Sequence, residues 1–324
     1  MDDYCFTKYK CNVDNIKEKL KKYGVAIVPK VLDKDEIENF KNGVWDYLEH
    51  ITQNYDNPID RNNNKTWKEG FKSLFGLHSM LIQHWGIGHA QFNWDLRQNP
   101  KVVDIFSKIW DVNKHNLVTS FDGASVHFPH EITKVGSYRG NDWFHCDQSF
   151  QRNNAECIQS WITAYDVNEG DATLAFLEKS NQYHGDAAKD LNITEKGDWY
   201  KLNQEEIDYY INKGCKKKYI KCPAGSMVFW DSRTIHCGRE PRKEREEPNF
   251  RFVSYICMMP KENIPKKIID KRIKAFEELR TTTHWANNIK LFPKNPRTYG
   301  RELPNVVQVE KPKLTKLGLS LVGY

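Results

Sequence analysis

The sequence contains no long apolar segment. None of its 324 residues belongs to an apolar run near the ~18 residues that a membrane-spanning helix needs. Its first ten residues, MDDYCFTKYK, have no apolar core of the kind found in secretion signals. We therefore expect a cytoplasmic protein, and a nuclear location fits the same features.

Paired cysteines and repeats are also missing. The eight cysteines are scattered and form no CxxC pair, which argues against a structural zinc site. Without a secretion signal, reduced and mostly buried thiols are expected. There is no internal repeat and no low-complexity tract. The composition, with 39% apolar and 28% charged residues, is typical of a globular protein.

The positive charge is concentrated near the C-terminus. The chain has a net charge of +6, and residues 261–324 hold 14 Lys and Arg against 6 Asp and Glu. A basic segment of this kind can attract nucleic acid or an acidic partner. A solvated protein surface is the more common explanation.

Residues 1–115 are predicted to form a mainly helical N-terminal scaffold. A short amphipathic helix ends at Gly24 and is followed by the strand VAIVP. Asp33 and Glu36 have the spacing of a helix N-cap, and Asn99 with Pro100 starts another helix.

Residues 116–260 are predicted to be mainly β. Seven short segments are rich in β-branched and aromatic residues and are separated by turn residues; they are NLVTSFD, DWFHCDQSF, IQSWITAYDV, ATLAFLE, KKYIKCP, SMVFWD and FRFVSYICM. Such a series favours a sandwich or jelly roll over an alternating parallel sheet. Residues 187–213 are a helical insert, and 261–324 form a basic C-terminal extension that begins with a helix over 266–285. We expect a single catalytic domain spanning 1–324.

The segment WFHCDQSF contains a candidate metal site. On a strand, His145 and Asp147 point to one face and Cys146 to the other. One imidazole and one carboxylate are two of the three ligands in the 2-His-1-carboxylate triad that holds non-haem Fe(II). A second His-x-Asp, at His184 and Asp186, is followed by a turn and a helix, which makes it the weaker candidate.

The third ligand is expected from GSMVFWDSRTIHCGRE. Its apolar strand leads to His236, and strands this far apart in sequence can face each other in a jelly roll. A capping or core role for His236 is the alternative.

A three-residue iron site leaves room for a bidentate 2-oxo acid and dioxygen. The distal carboxylate of such a co-substrate needs a fixed cation, and Arg251 lies within the otherwise apolar strand NFRFVSYICMMP. Arg245 lies in EPRKEREEPN, which we interpret as a solvated loop. Trp161, on IQSWITAYDV, is a candidate hydrogen-bond donor to the co-substrate, and a plain core role is its alternative.

Together these segments resemble the phytanoyl-CoA dioxygenase family of Fe(II)/2-oxoglutarate oxygenases over roughly residues 15–258. The resemblance implies a cupin-like double-stranded β-helix, or jelly roll, with flanking helices. It also implies iron ligands at His145, Asp147 and His236, and a 2-oxoglutarate salt bridge at Arg251. The implied cofactor and co-substrates are Fe(II), 2-oxoglutarate and O2, with succinate and CO2 released. Related halogenases have a small residue where this chain has Asp147, so hydroxylation is expected.

Three alternatives remain open. A nucleic-acid- or protein-modifying oxygenase would dock its polymer through the basic segment. A non-catalytic jelly-roll binding protein would show no iron-dependent turnover. A zinc or other metal hydrolase would have no need for Arg251. A small molecule is the favoured substrate, its identity is open, and so is the oligomeric state.

Overall fold

The computed structural model describes residues 3–75, 80–298 and 300–324. The helices of these residues are α1 (Ile16–Tyr23), α2 (Lys34–Thr52), α3 (Trp67–Phe75), α4 (Gln91–Arg97), α5 (Pro100–Trp110), α6 (His130–Thr133), α7 (His184–Asp190), α8 (Gln204–Asn212), α9 (Lys266–Glu277) and α10 (Lys316–Val322). Across the same ranges, no helix is both long and apolar enough to cross a membrane.

Most strands are short. They are β1 (Tyr4–Cys5), β2 (Val25–Val28), β3 (Leu81–Ile82), β4 (Leu117–Thr119), β5 (Ala124–His127), β6 (His145–Cys146), β7 (Ile158–Thr163), β8 (Thr173–Leu177), β9 (Tyr200–Lys201), β10 (Lys217–Ile220), β11 (Met227–Asp231), β12 (His236–Arg239) and β13 (Arg251–Pro260). Nearly all pairs are antiparallel, and helices flank the sheets, in agreement with the predicted mainly-β class.

The chain divides into two compact units. The first comprises the described parts of 1–30, 137–160 and 166–246. It contains a six-stranded sheet of order β1-β10-β8-β12-β6-β9, in which only β1–β10 is parallel, and the antiparallel pair β2–β11. Its core includes a cluster formed by Phe144, Cys146, Phe150, Leu177 and Tyr219. This cluster supports one face of the six-stranded sheet.

The second unit comprises the described parts of 31–136, 161–165 and 247–324. Its longest strand, β13, pairs antiparallel with β5 and with β4, and β5 pairs with β3. The aromatic rings of Trp45, Trp67, Phe128, Phe250 and Phe252 pack against one another with centroids 5.2–6.5 Å apart. Aromatic pairs at these separations add to the apolar burial that stabilises a core.

Three predicted helix ends are confirmed. Gly24 follows α1 with a φ of +80°, and its N–H donates to the carbonyl of Leu20, so the left-handed C-cap requires glycine. Asp33 and Glu36 form a full capping box at the start of α2. The side chain of Asn99 accepts a hydrogen bond from the N–H of Lys101 at the start of α5. Local sequence signals therefore define these helices.

Two predicted elements are shorter than expected. The strand DWFHCDQSF is reduced to β6, because Gln148 Nε2 donates to the carbonyls of Arg152 and Asn154 at 2.7 Å each and turns the chain away. The helix predicted over 266–285 ends at Glu277. Beyond it, Thr282 pairs with Phe121 through two hydrogen bonds of 2.9 and 3.0 Å, which an α-helix would not allow.

The segment predicted as a helical insert contains the end of α7, the short strand β9 and α8. Asn203 and Glu206 form a capping box at the start of α8. The organisation of 1–324 as a single catalytic domain stays a prediction.

Candidate metal centre

The three predicted metal ligands lie together in the first unit. His145 Nε2 is 3.6 Å from Asp147 Oδ1, and His236 Nε2 is 3.3 Å from Asp147 Oδ2. One donor atom from each residue lies within 4.8 Å of the others, and all three residues are buried. Two imidazoles and one carboxylate match the donor set of non-haem Fe(II), so these residues fit the expected metal.

Strand pairing brings the two histidines together. β12 is antiparallel to β6, and His236 stands directly opposite His145 in the register. Directly opposed residues in an antiparallel pair project from the same face of the sheet. The imidazole centroids are consequently 4.4 Å apart, although the residues are distant in sequence.

Backbone carbonyls orient both imidazoles. His145 Nδ1 lies 3.2 Å from the carbonyl oxygen of Trp143, and His236 Nδ1 lies 2.9 Å from that of Thr234. A carbonyl only accepts, so each Nδ1 carries the proton and donates it. In the neutral rings, each Nε2 then has a lone pair directed towards Asp147, which is the form that binds a metal.

Two neighbours of the triad were not predicted from the sequence. Gln159 Nε2 donates a 2.9 Å hydrogen bond to Asp147 Oδ2. The indole of Trp143 stacks on the ring of His145, with centroids 4.6 Å apart and planes 9° apart. A signal for Gln159 was present, since it alternates with Trp161 along β7 and so shares its face of the strand.

His184 has a structural role. It is the first residue of α7 and is buried. Its Nε2 contacts the carbonyl of Ser149 at 3.1 Å, and its ring stacks on Phe150 at 4.5 Å. Burial lowers the pKa of His184 to about 4. The imidazole of His184 is therefore engaged in packing and hydrogen bonding away from the triad.

Arg251 and Trp161 lie together in the second unit. Arg251 is buried at the start of β13, and its Nε donates to Ser125 Oγ at 2.9 Å. Its guanidinium carbon is 5.3 Å from the centroid of the Trp161 ring. The Nε1 of Trp161 is buried and has no hydrogen-bond acceptor among the described residues. Ser125, which orients the guanidinium, was not predicted.

The interpretation of Arg245 as a solvated residue is wrong. Its guanidinium pairs with Asp171 at 2.7 Å, and the two side chains are only 2% and 7% exposed. A buried ion pair of this kind satisfies the charge of Asp171. Arg245 therefore belongs to the interior of the first unit.

A curated relative shares part of the chain. The "Ava biosynthesis cluster protein O" of Aspergillus versicolor is 25% identical over 209 residues, which are 62% of this chain and 65% of the relative. The match thus spans just under two thirds of the length of that relative.

Two solved structures share the fold. The protein GIG2 of Candida albicans has a TM-score of 0.57 at 13% identity, covering 97% of this chain and 82% of its own. The hypothetical protein JW0805 of Escherichia coli also has a TM-score of 0.57 at 13% identity, covering 96% and 82%. At this identity the similarity shows the fold alone.

A family model described as "Phytanoyl-CoA dioxygenase (PhyH)" matches residues 20–243, more than half of the chain. The predicted jelly-roll fold is confirmed by this membership. The family description agrees with the prediction of a non-haem enzyme that uses Fe(II), 2-oxoglutarate and O2, and this activity is taken up below as a proposal. The chain belongs to the phytanoyl-CoA dioxygenase family.

Proposed function

We propose that this protein is an Fe(II)/2-oxoglutarate-dependent dioxygenase that hydroxylates a small organic molecule. The proposal is carried by the three buried donor atoms of His145, Asp147 and His236, which lie within 4.8 Å of one another. When bound, iron and 2-oxoglutarate would allow O2 to oxidise a substrate C–H bond to C–OH. In the same reaction 2-oxoglutarate would be converted to succinate and CO2. Family membership supports this chemistry.

The chain prepares the ligands before a metal binds. The carbonyls of Trp143 and Thr234 hold both Nδ1 protons, so neither imidazole has to change tautomer. Gln159 holds Asp147 in place through its Oδ2. Ligands fixed by such outer hydrogen bonds bind a metal more tightly than mobile ones.

We propose Arg251 as the partner of the distal carboxylate of 2-oxoglutarate. A buried guanidinium is stabilised by a carboxylate that takes two of its N–H groups. Ser125 accepts from Nε, which leaves the guanidinium orientation fixed. The buried Nε1 of Trp161, with no acceptor in the described part of the chain, is suited to donate to the same co-substrate.

Arg245 is the weaker candidate for this role. Its guanidinium already pairs with the buried Asp171. Using it for 2-oxoglutarate would leave the Asp171 carboxylate without that partner, which is costly in the interior.

Asp147 favours hydroxylation over halogenation, since a carboxylate occupies the position that a halogenase keeps small. A small-molecule substrate is supported by the name of the curated relative, which places that relative in a biosynthesis cluster.

The basic C-terminal segment gives little support for polymer docking. Lys266, Lys274 and Lys311 form ion pairs with Asp270, Glu278 and Glu277. Arg272 is fully buried and donates to backbone carbonyls of Thr119, Leu321 and Val322. Four of the 14 cations of the segment thus make ion pairs or hydrogen bonds within the second unit. Binding of single-stranded nucleic acid that weakens steeply with salt would favour a nucleic-acid substrate instead.

The test is anaerobic addition of Fe(II) and 2-oxoglutarate to the purified protein, followed by the visible metal-to-ligand charge-transfer band. We expect the band in wild type and in His184→Ala, and its loss in His145→Ala. Arg251→Met should need far more 2-oxoglutarate for the same band. Absence of the band in wild type at saturating concentrations would exclude the proposal. If Arg251→Met needs no more 2-oxoglutarate than wild type for the same band, the role of Arg251 is excluded.

A further inference from the structure

Two exposed indoles flank the metal ligand His145. Trp143 is 37% exposed and Trp199 is 56% exposed, although most large apolar side chains of the described residues are buried. The Trp143 ring stacks on His145 at 4.6 Å, and the Trp199 ring lies 5.9 Å from His145 at an angle of 34°. Exposed apolar surface beside a reactive centre marks a place where a ligand makes contact.

Trp143 is held in one orientation. Its Nε1 donates to the carbonyl of Gly238 at 2.9 Å, and its ring is nearly parallel to the His145 imidazole. Gly238 lies in β12, the strand that also carries His236. The indole is therefore fixed to the same two strands that provide the histidines.

Trp199 is brought to the site by the insert. It immediately precedes β9, which pairs antiparallel with β6 and sets Lys201 opposite His145. Arg152 holds the preceding turn, because its guanidinium bonds both Asp198 at 2.5 Å and Glu156 at 2.7 Å. A side chain anchored by a strand and an ion pair can stay exposed without being mobile.

We propose that Trp143 and Trp199 form the substrate-contacting wall of the metal site and select a substrate with a planar, conjugated ring. This inference rests on the proposed function. Indole faces bind flat π-systems by offset or edge-to-face stacking, which a saturated ring of the same size cannot match. Lys201, being opposite His145, projects from the same face and disfavours a cationic ligand.

Equilibrium dialysis of the anaerobic Fe(II)–2-oxoglutarate protein against matched probes tests the proposal. 2-Naphthol is planar, and decahydro-2-naphthol has the same carbon skeleton and hydroxyl without the π-system. We expect wild type to bind 2-naphthol about tenfold more tightly than its saturated counterpart. Trp199→Leu, which keeps an apolar side chain, should lose the preference, and Trp199→Phe should keep most of it. Ile211→Ala, at an exposed residue of α8, serves as the control and should behave as wild type.

Equal affinity for the two probes in wild type would overturn the proposal, as would an undiminished preference in Trp199→Leu. Displacement of 2-naphthol by tetramethylammonium at similar concentrations would show a cation site and overturn it too. The charge-transfer band is recorded on the same samples. A missing wild-type band contradicts the proposed function, whereas a normal band without probe preference contradicts only the role of the indoles.

Discussion

The side-chain amide of Gln159 donates a hydrogen bond to Asp147 Oδ2 across 2.9 Å. The other carboxylate oxygen, Oδ1, lies 3.6 Å from His145 Nε2. Gln159 is 5% exposed, so water does not readily replace this bond. The single carboxylate of the triad is thereby held between a buried amide and two imidazoles.

We predict that Gln159→Leu weakens metal binding about ten- to hundredfold, because the carboxylate loses the group that orients it. Anaerobic calorimetric titration with Fe(II) measures the effect. Gln182→Leu, at an exposed glutamine of the same unit, is the matched control and should bind as wild type. Equal affinities in the two variants would show that Gln159 has no part in orienting Asp147.

Arg245→Met should destabilise the protein, since it leaves the charge of Asp171 buried without its ion-pair partner. The expected loss in the free energy of unfolding is about 3–5 kcal/mol, measured by urea denaturation. Removing the second charge as well, in Arg245→Met/Asp171→Asn, should restore part of the loss. If the single variant is as stable as wild type, the pair is not buried as described.

Stability should fall in mild acid because of His89. Its Nε2 contacts the carbonyl of Arg280 at 2.9 Å, and its Nδ1 accepts from Trp94 Nε1 at 3.4 Å, so the neutral ring is satisfied. Burial lowers the pKa of His89 to about 3. Below the ordinary pKa of ~6.5, His89 takes up a proton in the unfolded chain and stays neutral in the folded chain. The contribution of His89 to the free energy of unfolding is therefore present at neutral pH and is lost as the pH falls.

Between pH 7 and pH 5 the loss due to His89 should be about 2 kcal/mol in the free energy of unfolding. His89→Gln keeps one donor and one acceptor and should show a correspondingly weaker pH dependence. His115→Gln, at an exposed histidine, provides the comparison. Its free energy of unfolding should change with pH as that of wild type does. Urea denaturation at the two pH values supplies all three measurements, and identical slopes for His89→Gln and His115→Gln would disprove the assignment.

Most cysteines should be unreactive in the folded protein. Seven of the eight are buried and Cys5 is partly exposed. Burial raises the pKa of Cys11 and Cys215 to about 11 and that of Cys237 to about 12. The thiolate is the reactive form, so these groups react slowly at neutral pH.

A colorimetric thiol titration should therefore find one fast thiol in the native protein and eight in denaturant. Cys5→Ser should abolish the fast phase. Several fast thiols in native protein would contradict the buried positions. The outcome also tests whether the thiols are reduced, as expected from the sequence.

Much of the local structure could be predicted from the sequence, and so could the grouping of His145, Asp147 and His236. The caps of α1, α2 and α5 are encoded within a few residues, so short-range signals suffice for them. The donor types at His145, Asp147 and His236 follow from the chemistry that an open Fe(II) site requires. The role of Arg251 stays a prediction, made because a charged residue in an apolar strand needs a partner.

The sequence by itself determined the capped ends of α1, α2 and α5, the approximate positions of most strands, and the side chains available for metal binding. Only the tertiary structure decided which of these groups meet. The register that sets His236 against His145, the bond from Gln159 to Asp147, the burial of Arg245 and the position of Trp199 all join different segments of the chain. Such pairings depend on cross-strand hydrogen bonds and side-chain packing. The periodicity of one segment carries no information about its partner segment.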